Sequence, residues 1–546
     1  MRLRFLFLAL AAAGQAFVAP AQSLAPRAPW VPDLGNGQYK NPVLYADYSD
    51  PDVVRVGSDY YLTSSSFNAA PALPILHSQD LVNWTIIGHA LPVQLPATRY
   101  NQVQPGNGVW APALRHHAGK FYLYYPDPDL GIFVTTATNP AGPWSAPVCV
   151  KQAKGWIDPC PFWDEDGRAY LVHAFAGSRA GIKSVIHVSE LAPDGLSLLG
   201  EDRLVFDGHK DHPTIEGPKF YKRHGYYYIF APGGGVKTGW QVALRSKNVF
   251  GPYEDKIVLA QGKSPVNGPH QGAWVDTPDG KQDWFLHFQD QGAYGRVVHL
   301  QPMTWQNDWP VMGTDADGDG TGEPVLTYRK PAVPGKVTLA VPATSDEFAS
   351  GRPGLQWQWQ ANPQPQWLAP SATAQPGQLA LAAVPVPPAV PNLYLVPSLL
   401  LQKLPAEQFS ATAKLNLQNL ATDERAGLVV LGLDYATLSL TRQADGRLAL
   451  AQTVCPQADK GAAEITTATA PPLGASQPLY LRVAVRAGGR CQFSYSADGQ
   501  QYLPLGPEFV AREGRWVGAK LGLFCLGASA SAAPGAAAIE WWHVAP

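Results

Sequence analysis

The stretch Ile157–Phe175, IDPCPFWDEDGRAYLVHAF, reads as two short strands around an acidic, Gly-containing turn, and the same layout returns four more times. The other copies are Ser49–Ser65 (SDPDVVRVGSDYYLTSS), Val109–Pro126 (VWAPALRHHAGKFYLYYP), Ile215–Pro232 (IEGPKFYKRHGYYYIFAP) and Pro269–Phe288 (PHQGAWVDTPDGKQDWFLHF). Each opens on a short strand led by a polar or aromatic residue, usually near Pro or Gly. A turn with Gly or Asp follows, then a strongly aromatic strand. β-Branched and aromatic runs bounded by turn residues are strand signals. A repeat of about 50 to 60 residues is the length of a four-stranded propeller blade. Five copies between about Asn41 and Arg329 predict an all-β, five-bladed propeller.

The innermost strand of every propeller blade lines a central channel, so residues at one phase of the repeat converge at one end of it. Here those residues are Asp50, Trp110, Asp158, Glu216 and His270. An Asp beside Pro often does no more than cap a turn. That use accounts for one of them, but poorly for three acids and a histidine at equivalent positions. Converging carboxylates raise one another's pKa, an arrangement that belongs to reactive sites. Acetal hydrolysis needs one carboxylic acid to protonate the leaving oxygen and a second carboxylate to activate water or attack carbon. A third carboxylate nearby raises the acid's pKa. Such chemistry requires no cofactor. Trp110 and Phe67 are candidate walls of a sugar pocket, plain blade packing being the other use of such rings.

The rest of the chain sets this domain in context. A net charge of −2 over 546 residues leaves no basic footprint for nucleic acid. Seventeen Trp and 22 Tyr suit the C–H faces of sugars, and equally suit β-sheet cores. At the start, Arg2 and Arg4 precede an apolar run from Phe5 to Ala13 and a small-residue site at Ala19-Pro20-Ala21. This is an export signal, too short to span a bilayer, and it predicts a periplasmic or secreted protein. The five cysteines, at 149, 160, 455, 491 and 525, form no CxxC pair. They permit a Cys149–Cys160 or Cys455–Cys491 bridge, or buried thiols. The expected organisation is a signal at 1–21, an N-terminal segment at 22–36 and the propeller at 37–330. A Pro/Ala-rich linker at 331–344 and a β-sandwich at 345–546 complete it, the sandwich read from alternating runs such as ATAKLNLQNL and LYLRVAVRAG.

The chain resembles glycoside hydrolase family 43. The likeness is carried by NPVLYADYSDPDVVRVGSDYYLTSSSF from Asn41, HSQDLVNW from His77, GVWAPALR from Gly108 and WIDP from Trp156. TIEGPKFYKRHGYYYIFAP from Thr214 and GRVVHLQPMTW from Gly295 extend it. The C-terminal region, with DEF at Asp346 and GLQWQWQANP at Gly354, resembles the concanavalin-like sandwich of the family's β-xylosidases. The resemblance implies an inverting mechanism with Asp50 as general base, Glu216 as general acid and Asp158 tuning and orienting the acid. Inversion places base and acid carboxyls roughly 6.5–9.5 Å apart, leaving room for water. It further implies that Arg296 holds sugar hydroxyls, unless it only pairs along a blade edge. His270 matches a channel histidine that in some members meets a central metal ion, here calcium, or its water; a structural imidazole is the other reading.

These inferences converge on an exo-acting pentosidase for plant oligosaccharides, β-D-xylosidase first and α-L-arabinofuranosidase second. Ala69 and Ala70 stand where many family β-xylosidases carry bulky aromatics, so the subsite wall is expected to differ here. A retaining fructan or sucrose hydrolase would carry Asn-Asp-Pro-Asn-Gly where this chain has YSDPDV, and a non-catalytic sugar-binding propeller would lack one of the carboxylates. The segment DADGDGTGEP from Asp315 has the acids of a calcium loop, but Leu326 replaces the required Glu at its twelfth position, so it reads as a turn.

Overall fold

Each repeat folds into an antiparallel sheet of four consecutive strands, and five such blades follow one another along the chain. Their inner strands are Asp52–Val56, Ala113–His117, Trp156–Trp163, Lys219–Arg223 and His270–Asp276, in blades I to V. This computed structural model describes residues 28–370, 375–527 and 534–546. The export signal read at 1–21 lies outside the described residues. Among those described, no helix is long and apolar enough to cross a membrane.

Side-chain alternation explains why the second strand of each blade reads as an almost unbroken apolar run. In Tyr226–Gly233, Ile229 and Ala231 pack on blade III, with Tyr170 and Val172, whereas Tyr228 and Phe230 pack on blade V, with Phe285 and Met303. A strand covered on both faces needs large side chains at every position, not at every second one. Similar cores join blades I and II (Ile75 with Leu123), II and III (Tyr124 with Leu171), and V and I (Leu286 with Leu62).

The ring closes through the N-terminal segment. Strand Gln38–Lys40 pairs with Thr327–Arg329, and Leu44 and Val298 exchange backbone hydrogen bonds. The amide of Asn41 donates to the carbonyls of Leu300 and Val325, both at 2.8 Å, and accepts from Leu300 N at 2.8 Å. Inside the channel, Asp52 and Lys219 are fully buried. Arg115 donates to Asp52 Oδ2 at 2.7 Å and to Cys160 Sγ at 2.9 Å, and Lys219 Nζ donates to Pro112 O at 2.8 Å, 3.9 Å from the Asp52 carboxylate. None of the five cysteines is paired; Cys149 is exposed and the others are buried.

The C-terminal region is a two-sheet sandwich. One sheet centres on Arg425–Leu431, Tyr435–Arg442 and Lys520–Gly527, the other on Phe409–Asn416, Leu479–Arg486 and Ala536–Ala545. Leu479–Arg486 buries every second residue, as a strand with one face on a core must. The sandwich is welded to the propeller. Tyr45, Tyr294 and Val297 of the propeller join its core, and Ala70 exchanges backbone hydrogen bonds with Trp359. The acidic segment at Asp315 is a turn whose Asp315 carboxylate accepts from Gly318 N and Gly320 N.

Removing the channel carboxylate would strand two buried cations. Asp52→Ala is therefore expected to lower unfolding free energy by about 3–5 kcal/mol, because an uncompensated buried charge remains. Urea denaturation checks this; a loss below 1 kcal/mol (~ the worth of a surface pair) would mean the network is solvated.

Candidate active site

Asp50 and Asp158 sit in left-handed backbone, at φ 53° and 56°, each followed by Pro. Asp tolerates this region better than most residues, and non-Gly residues held there cluster at functional sites. In blade III the strand pairing slips between Ile157 and Cys160, and in blade V it slips between His270 and Gly272. Such bulges re-aim side chains where a regular strand would not. Trp110 and Glu216 share another device. Each donates its backbone N–H to the seventh residue of the following strand, Pro126 O at 3.0 Å and Pro232 O at 3.1 Å. Asp158 is close enough to Glu216 and Asp50 for their charges to act on it, and His270 lies beside Glu216, so these four positions come together.

Both oxygens of Asp50 are held. Ser65 Oγ donates to Oδ2 at 2.5 Å, and Arg296 Nη1 donates to Oδ1 at 3.0 Å. The guanidinium lies over the Phe288 ring, 4.8 Å from its centre, and the same ring lies 5.3 Å from the His270 imidazole. His270 Nε2 is 3.2 Å from Glu216 Oε1. Asp158 Oδ2 accepts the backbone N–H of Gly217 at 2.7 Å, so the residue after Glu216 is tied to the neighbouring acid. Gly217 is required there: its φ is +60°, and a Cβ would stand 2.8 Å from the Gln271 side chain. The Glu216 side chain is 35% exposed and that of Asp50 only 8%, which makes Glu216 the acid most open to a ligand.

Burial pushes the Asp158 carboxyl up, to about 8, and the charge of Glu216 adds to the effect. The Gly217 N–H and Lys219 pull the other way. The Asp158 carboxyl consequently retains its proton near neutral pH.

The structure brings Arg296 to the carboxylates. Phe67 and Trp110 stand together, ring centres 6.4 Å apart, with Arg179 stacked on the indole at 5.6 Å and Trp110 Nε1 donating to Gly106 O at 2.9 Å. Phe67 is 4% exposed and packs against the Trp110 ring. Ala69 and Ala70 correct the reading of a pocket wall: both are completely buried, and the Ala70 backbone is paired with Trp359 of the sandwich. For His270, Nδ1 is buried without a protein partner. Among the described residues, no group of three His, Cys, Asp or Glu ligand atoms includes it. One imidazole nitrogen does not make a calcium cage, which takes six to eight oxygens, and no step is assigned to a metal there.

Asp47 is the site residue that the sequence reading passed over. It is 4% exposed and accepts Arg296 N at 2.9 Å and Ser49 Oγ at 3.0 Å on Oδ1, and Gly518 N at 3.0 Å on Oδ2. One carboxylate thus fixes the backbone of the residue that grips Asp50 and the sandwich loop containing Arg515 and Trp516. Gly295 makes room for it, since a Cβ there would lie 2.5 Å from the Asp47 carboxyl carbon. The loop packs on Gly106, whose carbonyl holds Trp110.

Residues 39–310 match the model described as glycosyl hydrolases family 43, and 345–545 match the β-xylosidase C-terminal concanavalin A-like domain. A Xylanibacter ruminicola protein assigned as a β-xylosidase is 40% identical over 508 residues, 90% of this chain and 87% of that one. The chain belongs to glycosyl hydrolase family 43. It is a glycoside hydrolase. A Formosa agariphila β-xylosidase is 34% identical, covering 90% of this chain and 88% of its own. A non-reducing-end α-L-arabinofuranosidase of Bacteroides ovatus is 32% identical, at 77% and 79% coverage. In fold, a xylan β-1,4-xylosidase of Bacillus halodurans superposes with a TM-score of 0.80 at 24% identity, over 93% of this chain and all (100%) of that one.

Two outcomes follow from this geometry. Asp158 keeps its proton in the folded protein up to about pH 8, whereas an unfolded Asp loses it near its ordinary value of 3.8. Its contribution to stability is full below that ordinary value and is lost as pH rises through about 8. Asp158→Asn removes this term, so the stability of the wild type relative to the variant should fall steadily across that window. A difference independent of pH would refute the shift. Asp47→Ala should cut kcat/KM by roughly 10–100-fold, as misplacement of a catalytic group does, with Asp47→Asn recovering part of the loss. Equal activity with only a lower melting temperature would reduce Asp47 to a structural role.

Proposed function

We propose that this family 43 protein is an inverting, exo-acting β-D-xylosidase on plant xylo-oligosaccharides, with Asp50 as general base and Glu216 as general acid. The observation that carries the assignment is the contrast between the acids. Asp50 is gripped by a guanidinium and a hydroxyl, one on each oxygen. Glu216 is the most open of the three and lies beside the protonated Asp158. A water held by Asp50 attacks the anomeric carbon and gives its proton to the Asp50 carboxylate. The bond from that carbon to the leaving oxygen breaks as Glu216 delivers its proton there, and the released xylose has inverted configuration. Asp158, through its bond to the Gly217 N–H, holds the acid in place. Arg296 orients Asp50 and is positioned to donate to sugar hydroxyls, with Trp110 as a pocket wall.

Exo action is supported by the sandwich loop, which packs on Gly106 next to Trp110 and is tied to Asp47. β-Xylosidase is preferred because two relatives matched over most of the chain bear that name. The arabinofuranosidase reading has the Bacteroides ovatus relative in its favour. The N-terminal signal supports action outside the cytoplasm, and hydrolysis by these carboxyls requires no cofactor.

Proton NMR of xylobiose hydrolysis should show α-xylose as the first anomer from the cleaved end; first-formed β-xylose would overturn the base and acid roles. Supplying an α-linked arabinan oligosaccharide in the same tube separates the two sugars. Asp50→Asn should lose roughly 100- to 10,000-fold in kcat on every substrate, the range of general acid–base catalysis. Glu216→Gln should lose as much on xylobiose and far less on a dinitrophenyl xyloside, whose leaving group needs no proton. Equal losses on both substrates would remove Glu216 as the acid.

A further inference from the structure

Blade III holds a second cluster of potential ligands, away from the three carboxyls. His173, on strand Ala169–Phe175, is the register partner of His187, on Val185–Leu191. Asp202 reaches both from the outer strand Leu198–Asp207. That strand bulges here: Val188 pairs with Arg203 and Glu190 with Leu199, so Gly200, Glu201 and Asp202 stand opposite Ser189. The bulge aims Asp202 across the sheet. Its Oδ1 lies 2.9 Å from His173 Nε2 and its Oδ2 lies 2.7 Å from His187 Nδ1, while Ser189 Oγ donates to Oδ1 at 3.0 Å.

We propose that His173, His187 and Asp202 form a binding site for a borderline divalent cation of the Zn²⁺ class. His173 carries the argument. Its side chain is fully buried and stacked on Trp156, ring centres 3.7 Å apart and 12° from parallel. Both of its nitrogens face acceptors, Nδ1 the Ala174 carbonyl at 3.2 Å and Nε2 the Asp202 carboxylate. A neutral imidazole has only one N–H to give. With that proton on Nδ1 and bonded to the carbonyl, the Nε2 lone pair faces the carboxylate, and a cation between them satisfies both. An N–H donated to a carbonyl while the other nitrogen faces the ion is how metal-binding histidines are oriented.

The ligand atoms lie within 4.8 Å of one another. Zinc bonds of ~2.0–2.2 Å in a tetrahedron put ligand atoms roughly 3.3 Å apart, so the N···O contacts of 2.9 and 2.7 Å must open for an ion to enter. Two imidazoles with one carboxylate suit zinc, not calcium or magnesium, which prefer oxygen. The His187 and Asp202 side chains are 18% and 23% exposed, which leaves an entry path and a fourth position for water. A bound ion would clamp three strands of the blade whose inner strand carries Asp158. His173 itself lies across from the slip between Ile157 and Cys160 that presents that acid.

The test uses the full-length protein stripped with a chelator and titrated with ZnCl₂ by calorimetry, and with Co²⁺ while the visible spectrum is followed. Wild type should bind one more Zn²⁺ than His187→Gln or Asp202→Asn, and its Co²⁺ form should show a tetrahedral absorption band that both variants lack. Ser189→Ala should keep the site with roughly 10- to 100-fold weaker affinity, the usual cost of losing a partner that orients a ligand. His209→Ala, at an exposed His–Asp pair nearby, should change nothing. Zn²⁺ should raise the melting temperature of wild type and of His209→Ala, but not of the two ligand variants. Equal Zn²⁺ stoichiometry in wild type and both ligand variants, or no Co²⁺ band in the wild type, would overturn the site and leave a hydrogen-bonded His–Asp–His triad. Neither result bears on the roles of Asp50 and Glu216, which the sugar assays test separately.

Discussion

Closing five blades into a ring forces the leading ends of five inner strands together, and with them three carboxyl groups whose mutual repulsion has to be met on the spot. The protein meets it differently at each acid. Asp50 receives a cation on one oxygen and a hydroxyl on the other. Asp158 is buried with one backbone N–H and keeps a proton instead. Glu216 stays open to solvent against the His270 imidazole. Burial and partners thereby give three similar groups three different surroundings.

The same closure dictates the composition of the blades. A sheet in an open sandwich has one wet face, whereas each blade is covered on both sides, and its second strand must be apolar throughout. The channel gives no such cover to charge. The Asp52 carboxylate lies between Arg115 and Lys219, and Lys219 also tempers the upward shift of Asp158. The buried ion network is thus both a plug for the channel and part of the electrostatics of the acids above it.

Much of this was legible in the sequence because a repeat carries phase. Asp50, Trp110, Asp158, Glu216 and His270 could be aligned by their place before or at the head of an inner strand, without knowing a single distance. What escaped depends on contacts between residues far apart in sequence. Asp47 looks like one more polar residue in YADYSDP, and its meaning lies in Gly518, 471 residues away. Ala69 and Ala70 read as a thinned pocket wall only while the sandwich strand that covers them is out of view. His173, His187 and Asp202 have no motif spacing at all; cross-strand register and a bulge in the outer strand bring them together.

The position of Asp47 bears on why the sandwich is attached. If that domain were only a neighbour, the propeller would be expected to complete its own site and offer the sandwich a surface. Instead one buried carboxylate accepts from the backbone of Arg296 and from the backbone of Gly518, so the grip on Asp50 and the placement of the sandwich loop are set by the same group. The loop then rests on Gly106, whose carbonyl fixes the Trp110 indole. The grip on Asp50 and the seat of the Trp110 indole are therefore referenced to a segment from the far end of the chain. A shift of that segment would disturb both together, which makes the seam between the domains a determinant of the arrangement around Asp50.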